Sequence, residues 1–309
     1  MTGAALRAPV RWTTGLGPVR RFVTRSRLGR RVALRFVAGE TLEEGIAAAR
    51  SLDGQGIAAM LDHLGENVTS VEQAAAAADG YVLALKRIRE AEGLDCNIAI
   101  KLTQLGLDHS LDLSIENTER VLAAAGPAGI LVMIDMEASE YVDRTLEVLR
   151  RLRAHHSGVG VAIQSALYRT AEDVSVLPEE TPVRLVKGAY LEPPSIAHRS
   201  RAGVDRAFAR LFATLLSRGH PVHVATHDPR LLAGACGLVE RRDLPWSRIE
   251  LQMLYGVRED LQHRYADRGY PVRAYVPYGA QWYPYLTRRL AERPANLWFF
   301  VSNLLRRTG

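Results

Sequence analysis

The sequence predicts an α/β protein folded as a (βα)8 barrel of the TIM type, and three observations carry that expectation. Eight short, mostly apolar, β-like runs follow one another from Ile57 onward. Longer segments lie between them, with Leu, Val and Ala recurring at helical spacing. Run after run also ends in a polar or ionisable residue, and a barrel would gather such ends on one face.

In chain order the runs are Ile57 to Leu61, Asn97 to Leu102, Ile130 to Met136, Val159 to Gln164, Val183 to Lys187, Val222 to Thr226, Ile249 to Leu254 and Val272 to Val276. The segments of helical character include Val71 to Ala91, Ser114 to Ala125, Tyr141 to Ala154, Ile196 to Leu216, Pro229 to Arg241 and Trp282 to Ala291. Strands this apolar, with helices always intervening, indicate a parallel sheet covered by helices. Eight units in about 220 residues fit a closed barrel better than an open doubly wound sheet. The strand-terminal residues are Asp62, Lys101, Asp135, Gln164, Lys187, Thr226 with His227, Gln252 and Tyr275. In a barrel they converge where active sites sit.

Composition narrows the class. With 47% hydrophobic and 24% charged residues in 309, disorder and fibrous repeats are excluded. The cysteines, Cys96 and Cys236, are too few for a disulfide framework, so a reducing, cytoplasmic setting is the expectation. No apolar stretch reaches the roughly 18 residues of a membrane span, and no apolar h-region follows the first arginines. The net charge of +6 is localised: residues 1–39 hold nine arginines and no acid, leaving the remainder net negative. The chain therefore divides into an Arg-rich N-terminal helical arm, 1–40, and a barrel, 41–309. The arm is either a solvated helix packed under the body through Trp12, Phe22, Leu34 and Phe36, or a contact for anionic lipid or nucleic acid.

Several chemistries have little support. There is no G-x-G-x-x-G after a strand and no phosphate-binding P-loop, no serine stands in a nucleophile elbow, and the histidines lack metal-ligand spacing.

Three segments carry candidate site residues. Lys101 sits in Asn-Ile-Ala-Ile-Lys-Leu-Thr, where an ammonium needs an acid or a bound anion, and Asp135 one strand on is its natural partner. The pair is either part of an anion site or a structural ion pair at the barrel rim. In Val183-Arg-Leu-Val-Lys-Gly-Ala-Tyr190, Arg184 and Lys187 point to opposite faces unless the strand ends near Gly188, and Gly188 permits close backbone approach to a ligand or serves a plain βα turn. In the last helix Tyr285, Arg288, Arg289 and Glu292 share one stripe, leaving Leu286 and Leu290 to dock it. Two arginines, an aromatic ring and a glutamate there make a receptor for a small carboxylate, or an exposed face with an ion pair.

Together these segments resemble the proline dehydrogenase family of flavin-dependent oxidoreductases. The matching pieces are Ile-Lys101-Leu-Thr, Ile-Asp135-Met-Glu, Ile-Gln164-Ser-Ala-Leu, Arg184-Leu-Val-Lys187-Gly-Ala-Tyr190, Ala-Thr226-His227-Asp, Glu250-Leu-Gln252-Met-Leu, Tyr275-Val-Pro-Tyr-Gly and Tyr285-Leu-Thr-Arg288-Arg289-Leu-Ala-Glu292, in order over residues 40 to 300. The resemblance implies that Arg288, Arg289 and Lys101 bind the carboxylate of L-proline, with Asp135 and Glu292 holding those cations in place. It implies that Tyr275, Tyr285 and Leu254 line the ring pocket, with Tyr190 behind them and the last helix over the active site. FAD is the implied cofactor, with Arg184 near its N5, Gln164 near the isoalloxazine edge, and Met136, Lys187, Gly188, Ala189, Thr226 and His227 in contact with it. One departure is Asp228, which follows His227 where many relatives carry Asn.

The implied reaction takes a hydride equivalent from proline C5 to the flavin and gives Δ1-pyrroline-5-carboxylate, the first step of proline catabolism, with Asp135 and Arg184 at the reacting centre. The implied partners are a membrane quinone as electron acceptor and a separate pyrroline-5-carboxylate dehydrogenase, placing the protein peripherally at the inner face of the cell membrane. No nucleic acid is expected. Without the resemblance, a Schiff-base aldolase using Lys187 or Lys101 would lead. A silent barrel that binds nucleic acid through its arm is the third class.

Overall fold

In the computed structural model, residues 34–65, 68–283 and 285 are described. Eight parallel strands close into a barrel in sequence order, β8 pairing with β1. They are β1 (Ala58–His63), β2 (Cys96–Ile100), β3 (Val132–Ile134), β4 (Val159–Gln164), β5 (Val183–Val186), β6 (Val222–Ala225), β7 (Ile249–Leu254) and β8 (Val272–Tyr278). Each expected run contributes a strand. β3 loses residues from both ends of its run, and β8 extends two residues beyond Val276.

The helices are α1 (Leu42–Asp53), α2 (Val71–Glu90), α3 (Leu111–Ala125), α4 (Val142–Arg153), α5 (Thr170–Ser175), α6 (Arg201–Ser217), α7 (Pro229–Arg241) and α8 (Glu259–Ala266). Side-chain caps set several starts: the hydroxyls of Ser70, Ser110 and Ser200 accept from the backbone N–H three residues on. The helix expected from Ile196 starts only at Arg201, because Ala197 bridges to Leu167, Tyr168 N–H donates to the Ile196 carbonyl and His198 N–H to the Ala166 carbonyl, before Ser200 caps the helix. Two short helices, α5 and α8, span six and eight residues, too few turns for an amphipathic period to stand out.

The strand period of two sorts residues between the barrel interior and the helix layer. Ala59, Leu61, Ile98, Ile100, Val132, Ile134, Val183 and Leu185 join the large core under the helices. The alternating set turns inward, where Met60, Ala99 and Met133 form a small apolar plug. Beside the plug lies a polar layer of buried Arg184, His223, Gln252 and Arg273 with half-buried Glu250. Arg273 pairs with Glu250 at 3.0 Å, and Gln252 Nε2 lies 2.9 Å from His223 Nδ1. Burial first, then Arg273 and Arg184, lower the His223 pKa to about 4 against the pull of Glu250, so it is neutral at pH 7.

One helix outside the expected set decides the shape of the mouth. α1 opens with a capping box, Thr41 accepting from Glu44 N–H while the Glu44 carboxylate accepts from Thr41 N–H at 2.9 Å. It packs on β1 and β8, and Gly45 lets the helix come so close that a Cβ there would stand 3.1 Å from the Tyr278 ring. The groove between β8 and β1, where an eighth barrel helix would lie, is therefore filled. Trp282, Tyr283 and Tyr285, which open the last helix, are all buried, and Trp282 Nε1 donates to Glu40 at 3.1 Å. Residues 1–33 of the arm and 286–309, including Arg288, Arg289 and Glu292, lie outside the described residues.

Candidate active site

Five inward side chains from β1, β2, β3, β5 and β8 meet at the C-terminal mouth. Lys101 Nζ donates to Asp62 Oδ1 at 2.5 Å and lies 3.5 Å from Asp135 Oδ2. Asp135 is ion-paired with Arg184 and accepts from the Tyr275 hydroxyl at 2.7 Å. The Arg184 guanidinium carbon sits 5.1 Å from the Tyr275 ring centroid, a cation–π contact, and its Nη1 is 3.2 Å from Met60 Sδ. Two cations and two carboxylates thus balance in a largely buried cluster.

The protonation states follow from these contacts. Burial works against the Lys101 charge, but Asp62, then Tyr275 and Tyr81, hold its pKa well above the usual lysine value. Burial and the Asp62 charge raise the Tyr275 phenol, so it stays a hydrogen-bond donor. Glu137, whose carboxylate accepts from Thr103 N–H at 3.2 Å and Thr103 Oγ1 at 2.7 Å, is raised mainly by burial. A Schiff-base aldolase needs a neutral amine, which Lys101 does not offer.

A second group lies over β4 to β7. The side chain of Gln164 is buried and donates through Nε2 to the Glu137 carbonyl at 2.9 Å. Gly188 has φ +113, a conformation L side chains rarely adopt, and a Cβ there would stand 3.1 Å from Gln164 Oε1. Gly188, Ala189 and Tyr190 are exposed, so the surface above Gln164 is open. Lys187, pointing away from the barrel axis, donates to Asp205 on α6 at 2.5 Å and to Asp228 at 3.4 Å. Asp228 caps α7 by accepting from Arg230 N–H at 3.1 Å and also pairs with Arg201 at 3.1 Å. Burial alone would raise its pKa, but Arg230, Arg201 and Lys187 together hold it well below the carboxylate range. Thr226 Oγ1 accepts from Asp228 N–H at 3.2 Å, and His227 Nε2 accepts from Leu254 N–H at 2.9 Å.

The structure therefore gathers Lys101, Asp135, Arg184 and Tyr275 into one cluster. Tyr285 stands close enough to Tyr275 to help raise its phenol pKa. Gln164, Lys187, Gly188, Thr226, His227 and Leu254 lie along the adjoining strand ends. Met136 is partly buried against Val142, Leu167 and Ala197. Reading the sequence pairs Lys101 with Asp135, whereas its nearest partner is Asp62; the available signal was Asp62's inward register at the end of β1. Asp205 was also missed as the partner of Lys187, since nothing local links a strand end to the second turn of the next helix.

The family model for proline dehydrogenase matches residues 45–301. Proline dehydrogenase 1 of Bacillus subtilis (strain 168) is 38% identical over 283 residues, covering 91% of this chain and 92% of that protein. The proline dehydrogenase of Deinococcus radiodurans is 40% identical over 281 residues, covering 89% and 90%. Among solved structures, proline utilization A from Bdellovibrio bacteriovorus superposes with a TM-score of 0.77 at 25% identity, over 84% of this chain and 32% of that one. A barrel whose mouth joins paired cations to aromatic rings, matched along nearly its whole length by these relatives, makes the chain a member of the proline dehydrogenase family, an oxidoreductase that oxidises proline.

Proposed function

We propose that the protein oxidises L-proline to Δ1-pyrroline-5-carboxylate with FAD as its cofactor and passes the electrons to a membrane quinone. The observation that carries this reading is the balanced cluster of Lys101, Arg184, Asp62 and Asp135 beneath Tyr275 at the barrel mouth.

The residues present fit the cofactor. Gln252 Oε1 is buried with no hydrogen-bond partner among the described residues, which suits a polar group arriving from above. The open surface over Gly188, Ala189 and Tyr190, flanked by Lys187, Arg201 and Arg230, offers cations to a pyrophosphate. Gln164, Arg184, Lys187 and Gly188 would hold the group, together with Met136, Ala189, Thr226 and His227. When bound, FAD supplies the acceptor for the hydride equivalent lost from proline C5.

The chain's own residues orient the substrate and set the charge around it. Lys101, with Arg288 and Arg289, binds the carboxylate; Asp135 and Glu292 keep the cations from drifting. Tyr275, Tyr285 and Leu254 cover the ring and exclude water, with Tyr190 at the rim. Arg184, pinned by Asp135 and Tyr275, presents a fixed positive charge where negative charge develops. The product is released for a separate pyrroline-5-carboxylate dehydrogenase.

The decisive experiment is an absorption spectrum of the purified protein followed by anaerobic titration with L-proline. A yellow protein that bleaches with proline and releases FAD rather than FMN on heating is expected. A colourless protein that stays inactive after FAD addition overturns the reading.

Ring selectivity tests the pocket. Tyr285 is buried beside Tyr275 and should cover the far carbons of the proline ring. A 4-hydroxyl there would collide or lose its hydrogen bonds, at about 1–3 kcal/mol. The enzyme should prefer proline to 4-hydroxyproline, and Tyr285→Ser should lower kcat/KM for proline while narrowing that preference. An unchanged ratio of the two substrates would remove Tyr285 from the pocket.

Among the described residues no helix is long and apolar enough to cross a membrane. A peripheral association at the inner face of the cell membrane is supported by the arm, whose nine arginines precede the point where it reaches the mouth. There Ala38 N–H donates to the Pro277 carbonyl at 2.8 Å, and the Gly39 carbonyl accepts from Gly279 N–H at 2.9 Å. Vesicles containing anionic lipid should bind the protein at low salt and release it at high salt or after deletion of residues 1–33. Equal binding by the truncated, folded enzyme would exclude the arm as the anchor.

A further inference from the structure

Two carboxylates face Lys101, and they differ in what else they do. Asp135 is shared, since it also pairs with Arg184 and accepts from Tyr275, and it reaches Lys101 only at 3.5 Å. Asp62 touches Lys101 at 2.5 Å and is 1% exposed, while its second oxygen is buried with no hydrogen-bond partner among the described residues. A carboxylate withdrawn from water and bonded through one oxygen is costly, and a leucine would fill the same place with less penalty. Packing therefore does not account for an acid here.

We propose that Asp62 is the positioning residue for Lys101, fixing its ammonium in the charged form and at the height on β2 where it meets the substrate carboxylate. This rests on the reading of Lys101 as part of the carboxylate receptor. The backbone provides the means: Asp62 aligns with Ala99 across the β1–β2 ladder, and Lys101 follows two residues later on the same inward face. Asp135 is the weaker partner, because its Oδ2 lies 3.5 Å from the Lys101 ammonium and already accepts from the Tyr275 hydroxyl, while its Oδ1 is turned to the Arg184 guanidinium. Asp62 acts through Lys101 and makes no contact with the substrate in this scheme.

The groups facing Lys101 from the surrounding elements are Asp62 on β1, Asp135 just after β3, Tyr275 on β8 and Tyr81 on α2, with His63 and Glu137 within electrostatic reach. Burial pushes the ammonium toward its neutral form, and Asp62 is the largest opposing influence. Removing that charge lowers the Lys101 pKa. Carboxylate binding would then be intact at low pH and lost as pH rises through the lowered value.

The test compares flavin-loaded wild type, Asp62→Asn, Asp62→Glu, Lys101→Met and the double variant Asp62→Asn/Lys101→Met, with proline kinetics followed across pH and thermal unfolding measured in parallel. Asp62→Asn should raise KM about ten- to a hundredfold, more than it lowers kcat, and bring an alkaline fall in kcat/KM into the measurable range. Asp62→Glu, which keeps the charge but moves it, should raise KM without that fall, and it carries the test should Asp62→Asn not fold. Lys101→Met leaves Asp62 as a buried anion without its cation, so adding Asp62→Asn should raise the unfolding temperature and leave KM no worse.

Losses that multiply in the double variant, or an Asp62→Asn enzyme with the wild-type KM and pH profile beside a damaged Lys101→Met, would overturn the role of Asp62 alone. A Lys101→Met enzyme with wild-type KM would overturn the carboxylate reading of Lys101, and the positioning role with it.

Discussion

Replacing Asp135 by Ala is expected to destabilise the protein by about 3–5 kcal/mol, the cost of stripping one partner from a buried ion pair. Asp135 holds the Arg184 guanidinium, lies 3.5 Å from the Lys101 ammonium and accepts from the Tyr275 hydroxyl at 2.7 Å. Its loss takes the Asp135 carboxylate from Arg184, leaves Asp62 as the carboxylate on Lys101, and removes the acceptor of a phenol that burial keeps protonated. Activity should fall with stability, and further: a displaced Arg184 and a tilted Tyr275 remove two orienting contacts, together about 2–3 kcal/mol, or roughly 30- to 150-fold in kcat/KM. Asp135→Asn keeps an acceptor for Tyr275 but no charge, so it should recover part of the stability and less of the activity. Denaturant unfolding of the three proteins, with proline kinetics below the transition, checks both. An Asp135→Ala protein as stable as wild type would show that the two cations do not depend on this carboxylate.

Replacing either Arg288 or Arg289 by Met should lower kcat/KM for proline about 30- to 1000-fold, corresponding to about 2–4 kcal/mol for a desolvated carboxylate left underpaired. Lysine at either position should rescue only in part, because an ammonium cannot reproduce the planar two-pronged contact of a guanidinium. In the sequence Arg288 and Arg289 follow Tyr285 at i+3 and i+4, the spacing of one helical stripe, and Tyr285 itself is buried beside Tyr275. Both Met variants retaining near-normal kcat/KM would move the carboxylate site elsewhere.

The barrel was legible because its signal is local. Each strand is a short apolar run and each long helix a repeat of Leu, Val and Ala, so periodicity alone locates them. Parity within a strand then separates Lys101, Asp135, Arg184 and Tyr275, which face inward, from Lys187, which does not. Short helices escaped for the same reason: α8 has eight residues, and its Leu261, Gln262 and Tyr265 are buried by packing rather than by an evident stripe.

Spacing along the chain sets the fold class, the strand ends that form the mouth, and the residue types that resemble one enzyme family. Tertiary structure alone decided which charge meets which. Asp62 and Asp135 lie 39 and 34 residues from Lys101, similar separations on opposite sides, and only the juxtaposition of β1, β2 and β3 makes the first the closer partner. Likewise only barrel closure brings β8 against β1, so that α1 fills the groove there. Ion-pair choice depends on distance and burial, which are properties of the closed barrel, whereas strand and helix depend on spacing along the chain, which the sequence carries directly.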